Sequence, residues 1–102
     1  MISADGGGGC YVAWNGGVQH VDVNGQMAWP APLEFSNTHL RTLAATDSGG
    51  QPSGCVIVSA TNYYYFVTQD LIAQKYSPSG DALWGPDGQT FYTGYTYDPV
   101  AG

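Results

Sequence analysis

The sequence predicts an all-β protein built from two similar units, and three observations support this prediction. Only 10% of the 102 residues are charged, while 15 are glycine and 8 are tyrosine. Such a polar but uncharged, turn-rich surface favours strands, because helical surfaces draw on Glu, Lys, Arg and Ala. No segment shows the period of about 3.6 residues that an amphipathic helix would show. The third observation is an internal repeat, which sets the order of the strands.

Two copies of Gly-x-x-x-Trp anchor the repeat, GQMAW at residues 25–29 and GDALW at residues 80–84. When their glycines are superposed, an Asp, a Gly-Cys pair, a Gln, the Gly-x-x-x-Trp motif and a Phe recur in the same order. The landmarks are Asp5, Cys10, Gln19, Trp29 and Phe35 in the first unit, and Asp47, Cys55, Gln74, Trp84 and Phe91 in the second. Chance does not readily produce this order, so we interpret the chain as one unit repeated.

The first unit carries two clear strands, CYVAW at residues 10–14 and VQHVDV at residues 18–23. Both are rich in β-branched and aromatic residues. The Asn-Gly pair that follows them is typical of a hairpin turn. A last strand is expected to run from QMAW to LEF, over residues 26–35.

The second unit repeats this pattern after a strand of its own, THLRTLAATD at residues 38–47. CVIVS at residues 55–59 and IAQKYS at residues 72–77 follow, and the last strand is expected from ALW to QTFY, over residues 82–92. The ten residues that the second unit has in excess lie in 60–71, between two strands. A hairpin insertion is expected there, because loop closure costs little for each added residue.

This pattern resembles the blade repeat of β-propellers, of the type Asp-Gly-x-Gly-Gly, an apolar strand ending in Ala-Trp, and x-Gln-x-x-Asp-x-x-Gly-x-x-x-Trp. Residues 4–29, ADGGGGCYVAWNGGVQHVDVNGQMAW, match it almost completely, and the second unit has Ser59 in place of the Trp that ends the strand. The resemblance covers nearly the whole chain and implies two four-stranded antiparallel blades. It implies little about function, because propellers include hydrolases, lectins, scaffolds and virion parts.

The resemblance implies one structural domain over residues 1–102, with blade 1 at residues 1–37 and blade 2 at residues 38–94. One of the two chain ends is expected to form the first strand of blade 1. Superposition of the units places residues 99–102 at the position of the first four residues. Residues 95–102 of the same or a neighbouring chain are therefore expected to complete that strand, and the sequence leaves the choice between the two termini open.

Two blades cannot close a ring, since propellers have about 4–8 blades. An open pair leaves apolar faces and unpaired edges, which favour association. We therefore predict that the chain binds itself in a cyclic homo-oligomer closed by heterologous contacts. A trimer is favoured over a dimer or a tetramer. A fragment of a longer propeller, and a linear stack or filament, are the alternatives.

The net charge of −6, with one lysine and one arginine, argues against nucleic acid and anionic lipid as partners. No apolar run approaches the length of about 18 residues that would predict membrane insertion. MISADGGGGC at residues 1–10 has no basic or apolar region of a signal peptide. Export by another route or release by lysis stays open, and an extracellular or virion-associated location is expected.

Neither catalysis nor a cofactor is predicted. His20 and His39 have no Cys, Asp or Glu at a familiar zinc spacing, so no metal site is expected, and His20 is interpreted as a strand-surface residue. No Ser/His/Asp set or carboxylate pair has motif spacing. The glycine run at residues 6–9 lacks the Lys-Ser/Thr of a phosphate loop.

Cys10 and Cys55 occupy equivalent positions in the two units. An isolated pair in a small exported domain often forms a disulfide. Face-packed sheets, however, lie about 10 Å apart, whereas a disulfide needs Cα atoms within about 7 Å. We therefore predict reduced, core-filling cysteines and no disulfide.

Aromatic residues are the best candidates for ligand binding. Trp29 and Trp84 recur in the repeat, so packing between blades competes with a ligand role, whereas Trp14 has no counterpart. The insertion carries three consecutive tyrosines followed by Phe66, and such rings can stack on sugars or pack against a subunit. The candidate residues are Trp14, Trp29, Tyr63, Tyr64, Tyr65 and Trp84.

Two functions are compatible with these features. The first is a non-catalytic, self-assembling recognition module that binds carbohydrate or a viral or cell-surface protein at multivalent sites. The alternative is a structural assembly protein, such as a capsid decoration or fibre component of a phage or virus, or an extracellular filament. An enzyme is a distant third.

Overall fold

The computed structural model describes residues 1–35, 38–61 and 68–96. These residues form two four-stranded antiparallel sheets and no helix, which confirms the all-β prediction at this level. In particular, no helix in the described ranges is long and apolar enough to cross a membrane.

Sheet 1 contains β1 (Ile2–Ala4), β2 (Cys10–Trp14), β3 (Gly17–Val21) and β4 (Leu33–Glu34), in that order. The β2–β3 pair is a tight hairpin, and its turn contains Gly16 at a φ of 96°, a conformation that favours glycine. The N-terminal segment thus supplies the first strand of this sheet, and residues 97–102 lie outside the described residues.

Sheet 2 contains β5 (Thr38–Ser48), β6 (Gln51–Thr61), β7 (Thr68–Tyr76) and β8 (Gln89–Thr96), again in chain order. These strands are longer than those of sheet 1, and β6 extends well beyond the five-residue strand expected from its apolar run. Residues 62–67 of the expected insertion lie outside the described ranges, and the two ends of the insertion belong to β6 and β7.

The prediction of a continuous last strand in each unit is wrong. After the turn, Met27 makes one isolated bridge to Val21, and the second unit has the same single bridge. The chain then bends, and β4 begins only after Pro30 and Pro32, neither of which has an N–H to donate to a ladder. The alternation of apolar residues in the sequence did not reveal this interruption.

The two Gly-x-x-x-Trp turns are closed by equivalent hydrogen bonds. In the first unit the Gly25 N–H donates to the carbonyl of Asp22 at 3.0 Å. In the second unit the Gly80 N–H donates to the carbonyl of Ser77 at 2.9 Å. The resemblance between the two motifs therefore extends from their sequence to their local structure.

The recurrent glutamines make similar, although not identical, contacts. The Oε1 atom of each accepts from the N–H of the next residue, at 2.9 Å for Gln19 and 3.0 Å for Gln74. The Nε2 atoms donate to Trp29 O at 3.4 Å and to Gly85 O at 2.7 Å. Each buried amide thus ties the third strand to the segment after the turn, a role that the sequence did not reveal.

The core lies between the two sheets and combines apolar side chains from both of them. Its buried members are Tyr11, Ala13, Val18 and Trp29 from sheet 1, and Leu43, Cys55, Ile57 and Tyr76 from sheet 2. Successive strand residues point to opposite faces of a sheet, so each sheet contributes one face to this core.

The two sheets pack through different faces of the repeated unit. We call one face of each sheet the front face: it carries Tyr11 in sheet 1 and the counterpart Val56 in sheet 2. The opposite face is the back face, and it carries Cys10 in sheet 1 and the counterpart Cys55 in sheet 2. The front face of sheet 1 packs on the back face of sheet 2. The contact is therefore head to tail, and no other described sheet packs on the back face of sheet 1 or the front face of sheet 2.

Candidate functional site

A pocket of about 330 Å³ opens at the contact between the two sheets. Sheet 1 contributes Glu34 and Phe35 at the end of β4, and sheet 2 contributes the rest of the lining. The lining residues of the second unit with polar groups are Thr38, Ser59, Gln74, Tyr76 and Asp87. Residues from both units meet there because the sheets pack head to tail.

Aromatic rings form one wall of this pocket. Phe35 and Tyr76 are nearly parallel, with ring centroids 6.1 Å apart and an interplanar angle of 17°. Trp29 supports Tyr76 from the core side at 6.3 Å. Burial, with a smaller contribution from the Cys55 thiol, raises the pKa of Tyr76 to about 12, so its hydroxyl stays neutral at physiological pH.

Hydrogen-bonding groups stand at the rim of the pocket. Glu34 and Asp87 are exposed carboxylates, whereas Ser59 is partly buried. The Gln74 amide is already engaged, since its Oε1 accepts from the Trp84 N–H at 3.1 Å and its Nε2 donates to Gly85 O. An apolar wall with a few acceptors is typical of a site for a small polar ligand, and the two carboxylates disfavour an anionic one.

A second group of polar side chains is buried in the contact between the sheets. His20 Nε2 lies 2.8 Å from Asp5 Oδ2, and His20 Nδ1 lies 3.0 Å from the carbonyl oxygen of Pro78 in the other unit. Trp29 Nε1 donates to the same carbonyl at 2.8 Å. Both ring nitrogens of His20 therefore face acceptors, so whichever nitrogen carries the proton has a hydrogen-bond partner.

Asp5 is positioned by its own loop. Its Oδ1 accepts from the N–H groups of Gly7 at 2.7 Å and Gly9 at 2.9 Å. The hydrogen bond with His20 is the largest influence that lowers the pKa of Asp5, and these two N–H groups lower it further, while burial opposes them. The carboxylate is thus held in its charged form beside the imidazole.

The interpretation of His20 as a strand-surface residue is wrong. The residue is 9% exposed, and the Tyr11 ring stacks on its imidazole at 4.3 Å, with Trp29 against the edge of that ring. The counterpart of His20 in the second unit is Lys75, which is half-buried on the uncovered front face of sheet 2. A comparison of the two units therefore did not predict that His20 is buried. This group of residues is closed to a substrate and joins the two units.

The predicted ligand-binding tryptophans lie in three separate places. Trp29 is 2% exposed in the core, Trp14 is 42% exposed at the end of β2, and Trp84 is 38% exposed on the front face of sheet 2. The predicted residues Tyr63, Tyr64 and Tyr65 lie outside the described residues.

Sequence reasoning missed most of the pocket. In the sequence Phe35 stands out only as a landmark of the repeat, and no motif distinguishes Glu34, Tyr76 or Asp87. Their signal in the sequence is weak, since they come from strand ends and a turn that lie far apart along the chain. The recurrence of Phe35 as Phe91 was the one available indication.

Cys10 and Cys55 are both free, and burial raises the pKa of the Cys55 thiol to about 12. Among the described residues, no group of three or more His, Cys, Asp or Glu side chains could hold a metal ion. Comparisons of the chain with protein-family models, with curated proteins and with solved structures gave no match.

Proposed function

We propose that the chain is a non-catalytic, self-assembling β-propeller recognition module that binds carbohydrate at a cell surface through pockets between its blades. The pocket between the two sheets is the observation that carries this proposal. Each sheet serves as one four-stranded blade, and the head-to-tail contact between them is the contact that a propeller repeats around its axis.

The chemistry of the pocket suits a neutral sugar. One face of a pyranose ring is apolar and stacks on aromatic side chains, and Phe35 and Tyr76 supply such a wall. The hydroxyl groups of a sugar donate hydrogen bonds, and the carboxylates of Glu34 and Asp87 accept them. A shallow site with few polar groups binds a single sugar weakly.

Self-assembly compensates for weak single sites. A cyclic trimer of this chain, the oligomer that we favour, presents the pocket once in each copy. Multivalent contact with a glycan-covered surface then raises the overall affinity by about 10²–10⁴ without any new contact. This arrangement fits an extracellular or virion-associated location.

Glycan-array binding with competition by free sugar tests the recognition function. Substitution of the two carboxylates, Glu34→Gln and Asp87→Asn, is expected to weaken binding by about ten- to a hundredfold, because hydrogen bonds to charged acceptors are lost. Asp47→Asn is the matched control: it removes the same charge far from the pocket, and Asn can still accept from the Gly50 N–H. Equal binding by all three variants would place the sugar elsewhere.

A structural assembly protein of a phage or virus particle, or of an extracellular filament, is the second candidate. Large apolar side chains exposed on both outward faces, such as Ile2 and Phe91, favour it. Absence of binding to every glycan, together with co-purification in particles or filaments, would support this function and exclude the first.

A further inference from the structure

The front face of sheet 2 carries an open apolar groove. Leu83, Trp84 and Phe91 line it and are 49%, 38% and 56% exposed. In repeat register, Trp84 and Phe91 of the groove are the counterparts of Trp29 and Phe35, which pack against sheet 2. The groove is therefore the same surface as one half of the core, without its covering sheet.

The back face of sheet 1 shows the complementary difference. Ile2 is 69% exposed, whereas Leu43, which has the equivalent register position in sheet 2, is 7% exposed. Cys10 is half-buried, whereas its counterpart Cys55 is fully buried. This face is the other half of the core, again uncovered.

We infer that the front face of sheet 2 docks onto the back face of sheet 1 of a second copy of this chain. The inference rests on the self-assembly in the proposed function and deepens it by naming the two faces and their register. The contact between the two sheets within one chain is the template. A second copy is the occupant because its sheet 1 presents the face that the front-face groove matches. Such a contact is heterologous, so each copy has one free face of each kind.

Trp84 is the anchor of this docking. Within the chain, Trp29 Nε1 donates to Pro78 O at 2.8 Å, and its ring lies 3.3 Å from the position of a Cβ added at Gly80. The counterpart of Gly80 is Gly25, where an added Cβ would meet nothing within 4 Å. The space beside Gly25 is thus open for the Trp84 ring of a second copy.

The hydrogen bond of the anchor also has a counterpart. Val23 stands where Pro78 stands in the second unit, and it is 66% exposed. In the docked pair, Trp84 Nε1 donates to the Val23 carbonyl of the next copy. A buried indole with a satisfied N–H beside apolar side chains is typical of an interface hot spot.

Two single variants, each with one damaged face, test the docking. Trp84→Asp places a charge on the front face of sheet 2, and Ile2→Asp places one on the back face of sheet 1. Each variant alone is expected to have the native mass of a 10.8 kDa monomer at concentrations where the unchanged chain is an oligomer. Far-UV circular dichroism verifies that both are folded, and Phe91→Asp replaces Trp84→Asp if that variant does not fold.

A mixture of the two variants gives the decisive result. Each retains one intact face, of opposite kinds, so the mixture is expected to form a one-to-one heterodimer and nothing larger. No heterodimer, or an oligomer of either variant alone like that of the unchanged chain, would overturn the docking. Symmetric docking of like faces cannot produce this pattern.

Met27→Asp is the matched control for Ile2→Asp. Met27 is 65% exposed, close to the value for Ile2. Its counterpart in the second unit, Ala82, is exposed although the back face of sheet 2 is covered, so this position lies outside the contact between sheets. This variant is therefore expected to assemble as the unchanged chain does. Loss of assembly in Met27→Asp would mean that charge alone, and not the register, explains the result.

The docking and the recognition function fail in different ways. Heterodimers that form while no glycan binds would leave the docking intact and reject recognition. Glycan binding by a chain that stays monomeric at all concentrations would reject the docking and leave the pocket as a binding site.

Discussion

Trp29 and Trp84 occupy the same position in the two units, yet Trp29 is 2% exposed and Trp84 is 38% exposed. The turns before them make equivalent hydrogen bonds, and in each unit the Oε1 atom of the recurrent glutamine accepts from the N–H of the next residue. Their local structures are thus alike, and their burial differs because only the first unit has a sheet on its front face. The turn and its hydrogen bonds therefore depend on the unit itself, whereas the burial of the tryptophan depends on the neighbouring sheet.

The largest expected difference between the two units concerns these tryptophans. Trp29→Ala removes a buried ring from the core and is expected to lower the free energy of unfolding by about 3–5 kcal/mol. Trp84→Ala is expected to change it by about 0.5 kcal/mol or less in the monomer, because that ring is partly exposed. Urea denaturation at concentrations where the chain is monomeric measures both. Equal losses would contradict the difference in burial.

The second largest expected difference in the free energy of unfolding concerns the two recurrent aspartates, Asp5 and Asp47. Asp5→Asn weakens the charged contact with His20 and is expected to lower the free energy of unfolding by about 1–3 kcal/mol. The counterpart Asp47→Asn keeps its acceptor for the exposed Gly50 N–H, so a loss of about 0.5 kcal/mol or less is expected.

The pH dependence of stability supplies an independent measurement of Asp5. Its pKa is lowered from the ordinary value of 3.8, so its contribution is present above that pH and is lost as the pH falls through the lower value of the folded state. Acid titration of the unfolding midpoint is therefore expected to be shallower in Asp5→Asn than in Asp47→Asn. The same dependence of the midpoint on pH in both variants would contradict a contribution of the Asp5 carboxylate to stability.

The smallest expected difference concerns the two thiols. Burial raises the pKa of Cys55 to about 12, so its thiolate is scarce near neutral pH, and its side chain is closed to reagents. Cys10 is half-buried and is expected to react first with a thiol reagent in the native monomer. In the proposed oligomer, Cys10 should be protected as well, since it lies on the back face of sheet 1. Mass spectrometry after brief labelling distinguishes the two sites.

The sequence predicted much of the framework. The repeat and the apolar alternation placed β2, β3, β5, β6 and β7, and the resemblance to propeller blades implied two four-stranded antiparallel sheets, which the structure confirms. They did not predict where the last strands begin, because Pro30 and Pro32 interrupt the ladder within a segment that still has apolar residues. They also did not predict the burial of His20, whose contact with Pro78 spans 58 positions along the chain.

The sequence by itself determined the local structure of each unit: the turns, the register of neighbouring strands and the two alternating faces. These features depend on residues close together in the chain, where glycine conformations and backbone hydrogen bonds decide the outcome. Only the tertiary structure decided which face of each unit is covered, and with it the aromatic pocket and the bond of Asp5 with His20 inside the contact. Burial depends on which residues, distant in the chain, pack against a surface. The sequence pattern of a single unit does not predict those residues.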